Sequence, residues 1–391
     1  MIPFARVLKY GNTLPEKTPL LYTSSEYSGN FSLIYNSILY ITGNNDNGQL
    51  GTGNNTSSYN VWRKVTETEK VKLCSTGYSQ TIYITESGRV MLTGNNITVF
   101  PVVNTKVWID VSNKFIGIDI TKIVFINIDR NGLLVILDDG SVWGTGNDVS
   151  GWSGQGSISI GFFEFKILYT PPSGRKAVAC MSGTRTARIL LDDGTILSSG
   201  DNRYHQCNAS SVQNVVSFTE SFPGVDPTQI YQFKMCNNHA MIILANKTCY
   251  GTGYGSFGSL NNGDTSSGNN GFFTTTVPTV PKNCRDYMKY MGTSSSSSSF
   301  YLDETDKLYG CGYQNNNLIS TSSIGTFKLC TQSTGYENMY IMSASGNAIL
   351  VDINADSPTI AASSPKTSTP TAQINVPTLG MGAVHLLSLP T

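Results

Sequence analysis

Short apolar runs separated by polar turns recur along the chain and predict β-hairpins. In the clearest examples, an apolar run leads into Glu86-Ser87-Gly88, Asp138-Asp139-Gly140 or Asp192-Asp193-Gly194, and a second apolar run follows. Glycine tolerates the positive φ that such turns require, so Ser-Gly and Asp-Gly between apolar runs indicate tight hairpins. The chain shows no sustained helical period, and Gly, Asn, Ser and Thr interrupt it throughout. The pattern therefore predicts an all-β protein.

The acidic pairs in these turns have two interpretations. Asp138-Asp139 and Asp192-Asp193 could hold a cation, but neither pair has further spaced oxygen ligands. Turn chemistry, in which the carboxylate accepts hydrogen bonds from its own backbone, explains them better.

A glycine that ends the second run of each hairpin marks a long repeat. The marker glycines are spaced by 51, 52, 54, 53 and 59 residues; they are Gly43, Gly94, Gly146, Gly200, Gly253 and Gly312. A fixed period near fifty residues indicates one supersecondary unit repeated in series. Further apolar runs lie upstream of each hairpin, for example Val61–Val65 with Val71–Leu73 and Phe163–Ile167 with Ala177–Ala179. Each unit therefore offers about four strands, which is the content of one propeller blade.

A seventh hairpin follows the last marker glycine, because Gly335 to Gly346 matches the spacing of Gly77 to Gly88. The first unit takes its upstream strands from Phe4–Leu8 and Leu20–Thr23, and the serine run Ser294–Ser299 falls in a strand position of the sixth unit. We therefore predict a seven-bladed β-propeller over residues 1–352, with the first and seventh units together closing the ring.

The first unit resembles the repeat of the regulator of chromosome condensation family. The resemblance rests on Gly43-Asn44, Gly48-Gln49-Leu50-Gly51 and Gly53, and weaker echoes include Gly200-Asp201-Asn202 with Gln206. It implies a seven-bladed propeller of repeats of this length, and His239 falls where that family commonly has a histidine. Because one fold hosts many functions, the resemblance leaves function open among exchange factors, chromatin binders, light sensors, inhibitors and scaffolds.

The sequence offers no recognisable catalytic or cofactor chemistry. No P-loop, zinc signature or G-x-S-x-G elbow is present, and the three histidines lack metal-ligand spacing. We therefore expect no enzyme activity, no cofactor and no metal. Lys and Arg number 26, as do Asp and Glu, with no basic tail, so no nucleic-acid partner is expected. The sequence has no run of eighteen apolar residues, so we expect no membrane insertion.

The eight cysteines contain no C-x-x-C pair, and Cys74 and Cys180 occupy the same position in their repeats. A small buried site explains that pair, and equivalent positions in different blades are poorly placed for disulfides. We expect eight free thiols and folding in a reducing cytosol.

The end of the chain changes character. Residues 353–373 are rich in Ser, Thr and Pro and read as a linker, whereas 374–391 are apolar again. We predict that this last segment is an extended docking arm for other proteins of a larger assembly. Its apolar residues are Ile374, Val376, Leu379, Met381, Val384, Leu386, Leu387 and Leu389.

The leading functional hypothesis is a non-enzymatic structural or attachment protein of a virus particle, such as a bacteriophage decoration or fibre protein. Charged residues make up only 13% of the chain, about half the usual share. Such amide- and hydroxyl-rich surfaces suit exposed proteins of assemblies, here a virion assembled in the host cytoplasm. The propeller would bind a cell-surface or glycan ligand, and the arm would anchor it.

Under this hypothesis the loops after the marker glycines would bind, because aromatic and amide side chains make adaptable contacts. The candidate residues are Asn44, Asn45, Asp46, Asn47, Asp201, Asn202, Arg203, Tyr204, Tyr254, Phe257, Tyr313 and Asn315.

Two alternatives remain open. The first is a cytoplasmic regulatory propeller, an exchange factor or scaffold for a small GTPase, which should carry an acidic cluster on one face. The second is an enzyme or sugar-binding propeller, with hydroxyls ringing the central channel at Thr42, Thr93, Thr145, Ser199 and Thr252. Small residues packed where strands converge explain those five positions more simply.

Overall fold

The strands that the structure describes form seven antiparallel sheets, five with four described strands and two with three. The computed structural model describes residues 20–253 apart from short gaps, the longest being 24–29, 208–211 and 245–248, and seven strands beyond residue 253. The helical elements of the described residues are three short 3-10 turns, at Ser112–Lys114, Ile120–Lys122 and Pro227–Gln229. The prediction of an all-β propeller is confirmed.

Each sheet is a blade built from consecutive strands. The first two blades comprise β1 Leu20–Thr23, β2 Asn30–Tyr35, β3 Ile38–Gly43 and β4 Tyr59–Lys64, then β5 Val71–Thr76, β6 Gln80–Thr85, β7 Val90–Gly94 and β8 Thr105–Asp110. The next two comprise β9 Ile123–Ile128, β10 Gly132–Leu137, β11 Val142–Asn147 and β12 Phe162–Tyr169, then β13 Ala177–Ser182, β14 Thr186–Leu191, β15 Ile196–Gly200 and β16 Val215–Glu220. The last three comprise β17 Ile230–Met235, β18 His239–Leu244 and β19 Cys249–Gly253; β20 Cys284–Met291, β21 Ser297–Asp303, β22 Leu308–Gly312 and β23 Lys328–Leu329; and β24 Asn338–Met342, β25 Ala348–Asp352 and β26 Ile360–Ala361. The end of the serine run thus lies in a strand, as its position in the repeat predicts.

The hairpin turns have the expected geometry. Gly88, Gly140 and Gly194 adopt φ values of 91°, 87° and 93°. The Asp139 carboxylate accepts hydrogen bonds from the Ser141 backbone and hydroxyl at 2.8 and 2.7 Å, and these hydrogen bonds lower its pKa. Asp193 accepts the equivalent pair from Thr195, both at 3.0 Å. Turn chemistry is therefore confirmed for these acidic residues.

The blades are shifted by one strand from the units read in the sequence. The run at Val61–Val65 contributes to β4, which pairs with β3 of the first blade and does not join the second. The run at Phe163–Ile167 likewise lies in β12 and pairs with β11 of the third blade. A repeat fixes the period but not the phase, and each outer strand pairs with the strand that directly precedes it in the chain.

The hydrophobic core lies between neighbouring blades, because the middle strands are buried on both faces. In β10, Leu133, Val135 and Leu137 pack in a cluster shared with the second blade. The alternating residues Leu134 and Ile136 pack in a cluster shared with the fourth blade. Successive side chains of a strand point to opposite faces, so a strand covered on both sides reads as a continuous apolar run.

The marker glycines are required by a close backbone approach. Gly94, Gly146 and Gly200 have φ values of 99°, 149° and 113°. A Cβ atom at these positions would overlap the carbonyl oxygens of Ser79, Asn131 and Arg185 respectively. The same oxygens accept the backbone N–H of the residue after each glycine, at 2.9, 2.7 and 2.8 Å. The glycine therefore lets the chain turn across the start of the neighbouring strand.

Some predictions fall partly or wholly outside the described residues. Residues 374–391 lie outside them, as do Phe4–Leu8, so ring closure and the docking arm stay predictions. Within the segment interpreted as a linker, Ile360–Ala361 forms β26 and pairs with β25, which extends the seventh sheet beyond residue 352.

Replacement of Gly94 by Ala should destabilise the protein by about 3 kcal/mol or more, because backbone strain and steric overlap act together. Gly156→Ala is the matched control, since Gly156 has φ 81° and nothing within 4 Å of an added Cβ. The control should lose only about 1 to 2 kcal/mol from its backbone conformation. Urea unfolding of both variants measures the difference, and equal losses would refute the close-approach explanation.

Candidate functional site on the loop face

The antiparallel order of the strands places two kinds of loop at the same end of each blade. The inner loops join the first and second strands, at 77–79, 129–131 and 183–185. The outer loops join the third and fourth strands, at 44–58, 95–104, 148–161 and 201–214. We call this end the loop face. The opposite end, with the hairpin turns at 86–88, 138–140 and 192–194, is the turn face.

The outer loop of the first blade is folded around one buried amide. Asn45 is fully buried, and its Oδ1 accepts the Leu50 backbone N–H at 2.9 Å. Its Nδ2 donates to Thr52 Oγ1 at 3.0 Å and to the Asn54 carbonyl at 3.1 Å. The Gln49 side chain, also buried, accepts the Asn47 backbone N–H at 2.8 Å. These hydrogen bonds close the loop on itself.

The outer loop of the fourth blade repeats this arrangement. Asn202 Oδ1 accepts the Cys207 backbone N–H at 3.0 Å, and Gln206 Oε1 accepts the Tyr204 backbone N–H at 2.9 Å. His205 adopts φ 56° where the first blade has Gly48 at φ 75°. The shared Asn-x-x-x-Gln spacing is the sequence signal for the common loop, which holds even where histidine replaces glycine.

The structure divides the candidate binding residues into a buried frame and exposed tips. Asn45 and Asn202 are fully buried and their side chains hold the loops together. Asp201 is also buried and pairs with Arg203 at 2.7 Å. Asp46, Asn47 and Arg203 are exposed and Tyr204 is half-buried, so these four present side chains to solvent. The remaining candidates, Asn44, Tyr254, Phe257, Tyr313 and Asn315, lie outside the described residues.

The described hydroxyls before the marker glycines are buried in hydrogen bonds, and three of the four bond to the preceding blade. The side chains of Thr93, Thr145, Ser199 and Thr252 are fully buried. Thr93, Ser199 and Thr252 donate to carbonyls in the outer loop of the preceding blade: Gly48 at 2.9 Å, Trp152 at 2.6 Å and His205 at 2.5 Å. Thr145 donates to the Phe163 carbonyl of its own blade at 2.7 Å, with the Val99 carbonyl of the preceding blade at 3.4 Å. The channel-site interpretation is therefore wrong for these four residues, and the side chain of Thr42 is not described.

The turn face brings together acids that are separated in the sequence. Arg89 lies 3.4 Å from Glu67, 3.1 Å from Glu69 and 3.6 Å from Asp110. Burial alone would raise the pKa of Glu67, but the Tyr83 hydroxyl, two backbone N–H groups and Arg89 outweigh it and lower the pKa. Burial and this same hydrogen bond raise the pKa of Tyr83. Three carboxylates around one guanidinium leave an excess of negative charge at this corner.

The described cysteines are buried free thiols, namely Cys74, Cys180 and Cys207. Burial raises the pKa of Cys74 and of Cys207 to about 12 and raises that of Cys180 as well. Because the thiolate is the reactive form, these three are poor nucleophiles. Whether the other five are unpaired stays a prediction.

Within the described part of the chain, no group of three or more His, Cys, Asp and Glu side chains is placed to hold a metal ion. No helix among the described residues has the length and apolar character needed to cross a bilayer.

Replacement of Asn45 by Ala should lower the free energy of unfolding by about 1 to 3 kcal/mol, since the buried Leu50 N–H loses its acceptor. Asn47→Ala in the same loop is the control, because the Asn47 side chain is exposed and such substitutions cost within about 0.5 kcal/mol. Chemical denaturation measures both. A loss at Asn47 as large as that at Asn45 would contradict the division into frame and tips.

Comparison with known proteins supports the fold. No protein-family model matches the chain, and no curated protein matches its sequence. Among solved structures, Prp20p from Saccharomyces cerevisiae, described with its binding to Gsp1p and histones, is similar with a TM-score of 0.66 and 13% identity, over 98% of this chain and 95% of that one. Yeast RCC1 (Prp20) bound to Kap60 is similar with a TM-score of 0.65 and 13% identity, over 90% of this chain and 89% of that one. Human WBSCR16 is similar with a TM-score of 0.60 and 16% identity, over 82% of this chain and 83% of that one. The chain therefore has the β-propeller repeat fold of the regulator of chromosome condensation proteins, as the resemblance in its first unit implies.

Proposed function

We propose that this protein is a non-catalytic binding platform that displays short loop tips on the loop face for recognition within a larger assembly. The observation that carries the proposal is the repeated frame. In the first and fourth blades, buried Asn and Gln side chains hold the same loop conformation while the two tip residues change from Asp46-Asn47 to Arg203-Tyr204. A rigid scaffold with variable exposed tips is the usual design of a recognition surface.

Two buried acids in the outer loops of the loop face support a non-catalytic role. Asp148 accepts the Gly151 backbone N–H at 2.7 Å and the Ser153 hydroxyl. The Asp201 carboxylate accepts a hydrogen bond from the Arg203 guanidinium. Both carboxylates are thus committed to holding loops, and neither is placed as an exposed acid or base for a substrate.

The specific form of the proposal is an attachment or decoration protein of a virus particle, with 374–391 as the anchoring arm. Its support is compositional: charged residues are 13% of the chain, and the surface relies on amide, hydroxyl and aromatic groups. Removal of residues 374–391 should then leave a folded propeller that no longer sediments with purified particles.

The test of the binding face is a quadruple alanine variant of Asp46, Asn47, Arg203 and Tyr204. Particles that carry it should assemble but adsorb to host cells roughly tenfold or more weakly, because a few central side chains dominate binding energy. The matched control replaces Asn113, Lys114, Ile116 and Thr121, exposed residues at the turn-face end. Adsorption that is unchanged in the tip variant, or equally reduced in the control, would reject the loop tips as the binding face.

A regulatory propeller for a small GTPase is the second candidate, and one observation favours it. Glu67, Glu69 and Asp110 converge on Arg89 to form the acidic corner that this hypothesis requires. Prp20p, which has the same fold, is described with its binding to Gsp1p. The relevant contact would then lie on the turn face.

The second candidate predicts that the protein speeds release of fluorescent GDP from a small GTPase of the same organism. Glu69→Gln with Asp110→Asn should weaken this effect, since each removes a carboxylate from the corner. Release rates that do not respond to the protein across the organism's small GTPases would exclude the exchange-factor reading.

A further inference from the structure

Three inner loops of the loop face form a row of exposed cationic and aromatic side chains. Tyr78, Arg130 and Arg185 lie in the inner loops of the second, third and fourth blades. Both arginines are exposed and Tyr78 is partly buried. Because the inner loops follow the innermost strands, this row borders the mouth of the central channel.

Buried hydrogen bonds hold these three loops side by side. The Gln80 side chain, fully buried, donates to the Asp129 carbonyl at 2.6 Å and so ties the first loop to the second. Asn127 Oδ1 accepts the Ser182 backbone N–H at 2.7 Å and its hydroxyl at 2.9 Å, which joins the ends of β9 and β13, from which the second and third loops start. Each of these bonds lies within a few residues of an arginine. The loops that carry Arg130 and Arg185 therefore start from neighbouring strand ends.

The Arg130 guanidinium is oriented by an aromatic ring. Its central carbon lies 4.8 Å from the centroid of the Tyr78 ring. Such stacking holds the planar fork while its N–H edges stay available for a bidentate acceptor. The neighbouring Asp129 is fully buried, and its carboxylate accepts the Arg130 backbone N–H at 2.6 Å.

The two arginines differ in their partners from three other arginines with solvent-accessible side chains. Arg89, Arg175 and Arg203 each form an ion pair with a carboxylate. In the part of the chain that the structure describes, neither Arg130 nor Arg185 forms an ion pair. Two exposed guanidinium groups on neighbouring inner loops, neither of them in an ion pair within the described chain, suit a ligand that supplies an anion.

We infer that Arg130 and Arg185 form a binding site for the carboxylate groups of an acidic glycan, one that bears uronate-type sugars. The inference names a ligand class for the loop face, and it rests on the proposed function only in assigning ligand binding to that face. The planar fork of arginine matches a carboxylate in a bidentate pair.

The surroundings favour a glycan over an acidic protein. A stable protein interface has an apolar centre. The exposed large hydrophobic residues of the described chain lie outside the three inner loops, at Val107, Ile116, Val149, Ile158, Phe162, Ile167 and Val212.

Titration of the full-length protein with oligogalacturonate, followed by calorimetry at low salt, tests the inference. The methyl ester of the same oligosaccharide is the ligand control, because its carboxyl groups carry no charge. Arg130→Gln and Arg185→Gln should each weaken binding of the free acid about tenfold or more. The control variant combines Arg175→Gln with Lys114→Gln, which removes the same charge as Arg130→Gln with Arg185→Gln but on the turn face. Its affinity for the free acid should stay within about twofold of the native value.

The outcomes separate this inference from the proposed function. It is overturned if native protein does not bind oligogalacturonate, if the ester binds as tightly, or if the Arg130/Arg185 double variant keeps the native affinity. Tighter binding of oligoglutamate or of a single-stranded oligonucleotide would also overturn the assignment to a glycan. The titration uses free protein, so its failure alongside tip-dependent adsorption would leave the proposed function standing.

Discussion

The hydrogen bond from the hydroxyl before a marker glycine to a carbonyl of the preceding blade, formed by Thr93, Ser199 and Thr252, is the interaction on which the rest of the described structure depends. Thr93, for example, donates to the Gly48 carbonyl from a fully buried position. It can do so only because Gly94 lets the chain pass close to Ser79. A single backbone feature therefore ends the third strand, starts the outer loop and joins two blades.

This coupling explains why the outer loops are both rigid and variable. The carbonyls that receive the hydroxyls belong to loops whose amides are satisfied internally by Asn45 and Asn202. The loop backbone is thus fixed by its buried amide and by the contact between blades. The tip residues differ between the first and fourth blades and keep contacts of their own, such as the Arg203–Asp201 ion pair. Recognition can change at the tips without disturbing the core, which is what a binding platform requires.

The two faces of the propeller carry different chemistry. On the turn face, carboxylates surround Arg89, and turn aspartates accept hydrogen bonds from neighbouring hydroxyls. The loop face carries Arg130, which lies over Tyr78, and the exposed Arg185 on the next inner loop. A chain with equal numbers of acidic and basic residues can therefore still present a cationic site on one face and an acidic corner on the other.

The sequence by itself determined the fold class, the period and the hairpin turns, because these depend on residues close together in the chain. Gly88 and Asp139 reveal their turns through local backbone chemistry. The phase of the blades could not be read, since a repeat has no intrinsic beginning and β4 is assigned only by its hydrogen bonds to β3. The candidate loops could be located by spacing, but the burial of Asn45 and the exposure of Asp46 depend on packing against the next blade. Only the tertiary structure placed Arg130 over Tyr78, because residues a repeat apart become neighbours when successive blades pack side by side.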